Sequence, residues 1–94
     1  MKQGPYKPTG NLYCDLVAGC MNHFERQGAK VATIYLQPKY WRGFMRYVLS
    51  QIPGHVDTGE IDFDGTIVKK ASILQWKSLS YELEGSGKKH DYDA

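Results

Sequence analysis

Long apolar runs are missing from this chain, and so is a strong bias of charge. No stretch approaches the ~20 consecutive apolar residues that span a bilayer. The opening MKQGPYKPTG has no apolar segment of the kind a secretory leader carries. An intracellular chain with no membrane partner is the expectation. Cysteine is scarce: Cys14 and Cys20 are the two present. They lie six residues apart on a helical pattern, which separates them by about 9 Å of rise and about 120° of rotation. That is too far for a bridge within one helix, and a reducing compartment fits. The net charge of +2 also lacks the strongly basic footprint of a dedicated nucleic-acid binder.

What is present is an ordinary globular composition rich in rings. Hydrophobic residues make up 41%, charged residues 23% and aromatic residues 13% of 94 residues, enough to bury one core and too short for two. The modest net charge hides an asymmetry. Residues 1–54 hold seven lysines and arginines against Asp15 and Glu25, a net +5; residues 55–94 hold five lysines against eight acids, a net −3. Such a bipolar chain favours steered association, including with a second copy of itself.

The punctuation divides the chain into an extended arm (1–10), one α+β domain (11–84) and a flexible tail (85–94), GSGKKHDYDA, which is poor in apolar residues. Asn11 can cap a helix that runs to about Gln27 and stops at Gly28. Leu12, Tyr13, Leu16, Val17, Cys20, Met21 and Phe24 form its apolar arc, with Ala18 and Gly19 on the other side. Lys30 to Leu36 reads as a strand with apolar residues on both faces: Val31, Thr33 and Tyr35 against Ala32, Ile34 and Leu36. A second helix opens at Pro38 and closes before Pro53-Gly54, with Trp41, Phe44, Met45, Val48, Leu49 and Ile52 on its core arc. Gly59–Phe63, Asp64-Gly65 and Thr66–Ala71 read as a hairpin on a type I′ turn. A last strand is expected over Leu74 to Glu84, with Leu79, Tyr81 and Leu83 in phase and Trp76 out of phase, so that either both faces are partly covered or a bulge lies nearby. The expected order is α-β-α-β-β-β, two helices on a small, mainly antiparallel sheet.

Asp62-Phe63-Asp64-Gly65-Thr66 resembles the first motif of the haloacid-dehalogenase phosphatases, DxDGT. In that family the first aspartate attacks phosphorus, the second is the acid/base and magnesium lies between; the matching residues here are Asp62 and Asp64. The context departs from the family. The motif follows a polar stretch where the family has a buried strand, and 28 residues after Thr66 are too few for a doubly wound sheet. The acidic pair that would hold magnesium falls in the tail, at Asp91 and Asp93, and a hairpin explains Asp64-Gly65 without chemistry. The string therefore reads as structural, with no catalytic residue, metal or cofactor assigned. Glu60, Asp62 and Asp64 alternate, as a cation-binding row or, more simply, as the charged face of an edge strand. Cys20 and His23 are one helical turn apart, and with His55 they match no zinc spacing.

The most informative segment is Lys39 to Tyr47. Lys39, Arg42 and Arg46 cluster on one side of the second helix with Tyr40 and Tyr47 beside them, and Gly43 on that face would admit a close approach. Arginine and tyrosine are favoured anchors of protein interfaces. The expected function is a small non-enzymatic protein-binding module, possible as a homodimer, with nucleic-acid binding through the same face as the alternative. The phrase Ile34-x-Leu36-x-Pro38-x-x-Trp41-x-x-Phe44, followed by Phe63-Asp64-Gly65-x-Ile67-Val68, is similar to a strand–helix–hairpin phrasing of small bacteriophage proteins. That resemblance implies an accessory protein, or an inhibitor of a host protein, and no catalytic residues.

Overall fold

The computed structural model describes residues 9–92. Helix α1 spans Leu12–Glu25, strand β1 Val31–Leu36, helix α2 Pro38–Gln51, β2 Glu60–Phe63, β3 Thr66–Lys70, β4 Leu79–Leu83 and β5 Lys89–Asp91. The class is α+β. Both helices lie on one face of a five-stranded mixed sheet with strand order β2-β3-β1-β4-β5. β1 is central, parallel to β3 and antiparallel to β4, while β2 and β5 form the edges.

Local chemistry sets the helix ends. The Asn11 side-chain oxygen accepts the Cys14 N–H at 2.8 Å, filling one of the donors left open at a helix start. At the other end Gly28 takes φ +81°, and the Ala29 N–H reaches the Phe24 carbonyl while the Gly28 N–H reaches that of Glu25. This left-handed stop is what glycine permits. Pro38 occupies the first turn of α2, where its missing N–H costs nothing. The β2–β3 turn has Asp64 at φ +55° and Gly65 at φ +91°, the two positive values of a type I′ turn.

The core lies between the helices and the sheet: Cys14, Val17 and Cys20 from α1, Trp41, Phe44 and Val48 from α2, and Ile34, Leu36, Val68 and Leu79 from the sheet. Val31 joins it through a bulge. Val31 pairs with Leu83 and Thr33 with Glu82, so Ala32 is an extra residue on β1. The insertion turns Val31 to the same face as Ile34, where strict alternation would place it opposite. The bulge therefore sits in β1 and not beside Trp76.

Several expectations are corrected. In α1 the buried side runs through Cys14, Val17 and Ala18, while Leu12 is 70% exposed. The reason is that α1 packs on α2 as well as on β1, which rotates the arc towards Ala18. Leu49 and Ile52 are exposed, Leu49 beside the buried Val48 and Ile52 as the non-helical residue that caps α2. Residues 71–78 form a loop, and β4 begins at Leu79. Residues 89–91 of the expected flexible tail form β5 instead. Ser80 Oγ donates to the Asp91 carboxylate at 3.0 Å, Lys89 Nζ lies 4.6 Å from the Tyr35 ring centroid, and Tyr92 packs among His23, Phe24 and Tyr81. Those contacts come from other strands and helices, which the composition of the tail does not reveal. The arm at 1–10 lies largely outside the described residues. Among the described residues no helix is long and apolar enough to cross a membrane.

Candidate functional site

Pro38 fixes where α2 starts, and the burial of Trp41, Phe44, Met45 and Val48 fixes which side is left outside. Lys39, Arg42 and Arg46 stand on that outer side at i, i+3 and i+7 and are all exposed. Among the described residues, none of the three forms an ion pair. The stripe continues past Arg46 into apolar surface, with Leu49 at 42% and Ile52 at 53% exposure. The result is a face that is cationic at its start and apolar at its end.

The two tyrosines flank this stripe only in part. Tyr40 is half-buried, its ring meeting Tyr13 edge-on at 5.3 Å between centroids, and Tyr47 is half-buried against the core. Their rings therefore contribute edges to the surface and bodies to the packing. Gly43 departs from expectation most clearly. It is buried, and a Cβ there would stand 2.2 Å from the Tyr13 ring. The close approach it permits is that of α1 onto α2, not that of a partner.

The acidic string is dispersed by the hairpin. Asp62 Oδ1 accepts the Gly65 N–H at 2.9 Å, bracing the turn. Glu60 faces Lys69 across the strands at 4.0 Å. Asp64 leaves the row because its backbone is in the turn; it borders a hollow of about 160 Å³ with Met21, Glu25 and Lys30. Lys30 Nζ donates to the Gly65 carbonyl at 2.9 Å. Among the described residues no three His, Cys, Asp or Glu side chains converge to hold a metal ion. Burial pushes the Cys20 thiol up to about 12, so it stays protonated at neutral pH. His23 points outward to Gln27, and His55 lies in the loop after α2.

A second surface was missed by reading the sequence. Ile73, Leu74 and Trp76 are 87%, 85% and 80% exposed, the most exposed large apolar side chains among the described residues. They belong to the loop 71–78, whose backbone is held against α2: Gln37 Nε2 donates to the carbonyls of Gln75 and Trp76, both at 3.4 Å. The signal was the out-of-phase Trp76, which does not share the face of Leu79, Tyr81 and Leu83. No family model, curated protein or solved structure matches this chain.

Proposed function

We propose that this chain is a small non-enzymatic binding module that docks on another protein through the outer face of α2. The observation that supports it is the stripe Lys39, Arg42 and Arg46, exposed and without acidic partners in the described residues, running into the apolar Leu49 and Ile52. The core is complete without these side chains. A partner of matching chemistry has an acidic patch for the guanidinium groups and an apolar shelf beyond it, with Tyr40 and Tyr47 as edge contacts. Guanidinium groups serve here because their fixed donor geometry grips carboxylates in pairs. Within this reading, the resemblance of the short phrases at 34–44 and 63–68 to small phage proteins favours an accessory or host-inhibitor setting.

The decisive experiment is capture of partners by tagged protein from candidate host lysates, with and without nuclease, repeated with the Arg42→Glu/Arg46→Glu variant. A protein retained after nuclease and lost with the double variant supports the reading. Retention unchanged by the variant would move the site elsewhere.

Nucleic-acid binding remains the second reading, because the same three cations are free to meet phosphates. It requires affinity that falls steeply as salt rises, through release of condensed counterions. A flat salt response between low and physiological ionic strength removes it.

A further inference from the structure

The two edges of the sheet differ in how they meet a further strand. At β5 the Tyr92 N–H donates to the Leu79 carbonyl at 3.0 Å, and Tyr81 stands opposite His90. Bonded and non-bonded couples alternate along an antiparallel pair. His90 therefore directs its N–H and C=O at β4, while Lys89 and Asp91 turn theirs outward. The whole of β5 is exposed, and among the described residues no strand lies beyond it. The loop 71–78 is fastened further in, where Gln75 turns inward and its Nε2 donates to the Tyr35 carbonyl of β1 at 3.0 Å. The backbone of Lys89 and Asp91 is thus open to an extended segment that comes alongside.

The β2 edge is guarded. The Lys70 N–H donates to the Gly59 carbonyl at 2.9 Å, which by the same alternation turns Glu60 and Asp62 outward. The Thr58 hydroxyl already occupies the Glu60 carbonyl at 3.1 Å. A second copy pairing there about Ile61 sets Glu60 against Asp62, acid against acid, which repels. At β5 the signs are opposite. An antiparallel copy related by a two-fold axis through His90 sets Lys89 against Asp91 on both sides of the axis. These are also the couples whose outward backbone groups face each other, so charge and hydrogen-bond phase select the same register. Both side chains are already oriented: Lys89 Nζ lies 4.6 Å from the Tyr35 ring centroid, and Asp91 accepts the Ser80 hydroxyl at 3.0 Å. Each retains capacity for a second contact.

We propose that two copies of the chain pair β5 to β5, antiparallel about His90, with Lys89 of each copy against Asp91 of the other. The two five-stranded sheets then join edge to edge. The order of charges, cation before His90 and acid after it, is its own complement under the two-fold rotation, and this makes a second copy the fitting occupant. At the axis the two His90 rings face each other, each already stacked on its own Tyr81 at 5.5 Å. A strand this short gives a contact at the low end of interface size, so the dissociation constant is expected at about 50–500 µM. This edge is separate from the outer stripe of α2.

Sedimentation equilibrium on the full chain from about 10 µM to about 1 mM tests the proposal, with amide hydrogen exchange followed by NMR over the same range. The expected result is a concentration-dependent dimer in which the Lys89 and Asp91 amides become protected. The His90 amide, bonded to β4 in the monomer, changes little. Lys89→Asp makes the edge all acidic and Asp91→Lys makes it all basic, and each alone weakens association about 10-fold. An equimolar mixture of the two variants restores association to near the parent's level, because opposite signs face each other again. Damage to the fold of either variant does not produce that recovery. Lys89→Pro, which removes an outward N–H and leaves the β4 ladder whole, also weakens the dimer and keeps the test open if Asp91→Lys unfolds. A chain still monomeric at about 1 mM overturns the proposal. So does a dimer that none of these variants weakens, a mixture no tighter than its folded components, or protection that falls on Glu60 and Asp62 instead. Protection of β5 that appears only with a different protein bound overturns it in favour of strand addition by that protein. Arg42→Glu/Arg46→Glu leaves the dimer intact, which separates this result from the fate of the α2 docking reading.

Discussion

On the helix side of the sheet, Val31, Ile34, Leu36, Val68 and Leu79 are each 2% exposed or less. On the other side the same strands present Glu60 and Asp62, Lys69 and Ile67, Tyr35 and Thr33, Ser80 and Glu82, and Asp91 and Lys89, as the cross-strand pairing dictates. One face is held by removal of apolar area from water. The other is held by short polar links: the Tyr35 hydroxyl donates to Glu82 at 3.0 Å, and Ser80 to Asp91. Ser80 is nonetheless fully buried, shielded by its neighbours with its hydroxyl satisfied. The difference teaches where this small protein keeps its stability and where it tolerates change.

The sharpest way to break the contrast is to truncate adjacent residues of β1. Ile34→Ala is expected to lose about 2–5 kcal/mol of unfolding free energy, while Thr33→Ala next to it stays within roughly 1 kcal/mol. Urea denaturation of both variants measures the gap, and equal losses would mean that the open face is a second core. A smaller loss is expected at the helix–helix contact. Gly43→Ala forces the Tyr13 ring to move and costs about 1–3 kcal/mol. Combining it with Tyr13→Ala yields a double variant less destabilised than the sum, because the clash has been removed.

The buried thiols add a pH signature to the helix side. The Cys20 thiol rises from 9.0 to about 12 by desolvation, and burial raises that of Cys14 too. Between those values the unfolded chain releases the Cys20 proton while the folded chain keeps it. Stability is therefore full below about pH 9 and falls as pH rises above it. Cys20→Ala flattens that fall, as denaturation midpoints at about pH 8 and about pH 10 would record. The smallest effect is on the open face. The Lys69–Glu60 pair is 4.0 Å apart with both side chains exposed, so Glu60→Ala changes stability by no more than about 0.5 kcal/mol.

The features legible in the sequence are those decided by neighbours in the chain. Asn11, Gly28, Pro38 and Asp64-Gly65 each carry their own geometric reason, and the helix boundaries and hairpin follow from them. The exposed cations of α2 were equally legible, since a single-helix projection settles their side. What that projection does not contain is the second helix, so Gly43 and Tyr40 read as surface when Tyr13 occupies the space above them. The parallel pairing of β1 with β3, the extra residue Ala32 and the edge strand β5 depend on partners remote in sequence. For the loop 71–78, apolar residues imitate the start of a strand, and only the inward turn of Gln75 separates the two readings.

The central position of β1 governs the order in which this protein can acquire structure. Its two neighbours arrive late: Ile34 pairs with Val68 on one side and with Tyr81 on the other. A chain emerging from the ribosome with α1, β1 and α2 already made has no second strand beside β1 and no floor beneath its helices. Closing loops of that length is entropically costly before any contact rewards it, which slows folding and makes it all-or-none. The first half of this molecule therefore waits, unfinished, for the last third to be synthesised.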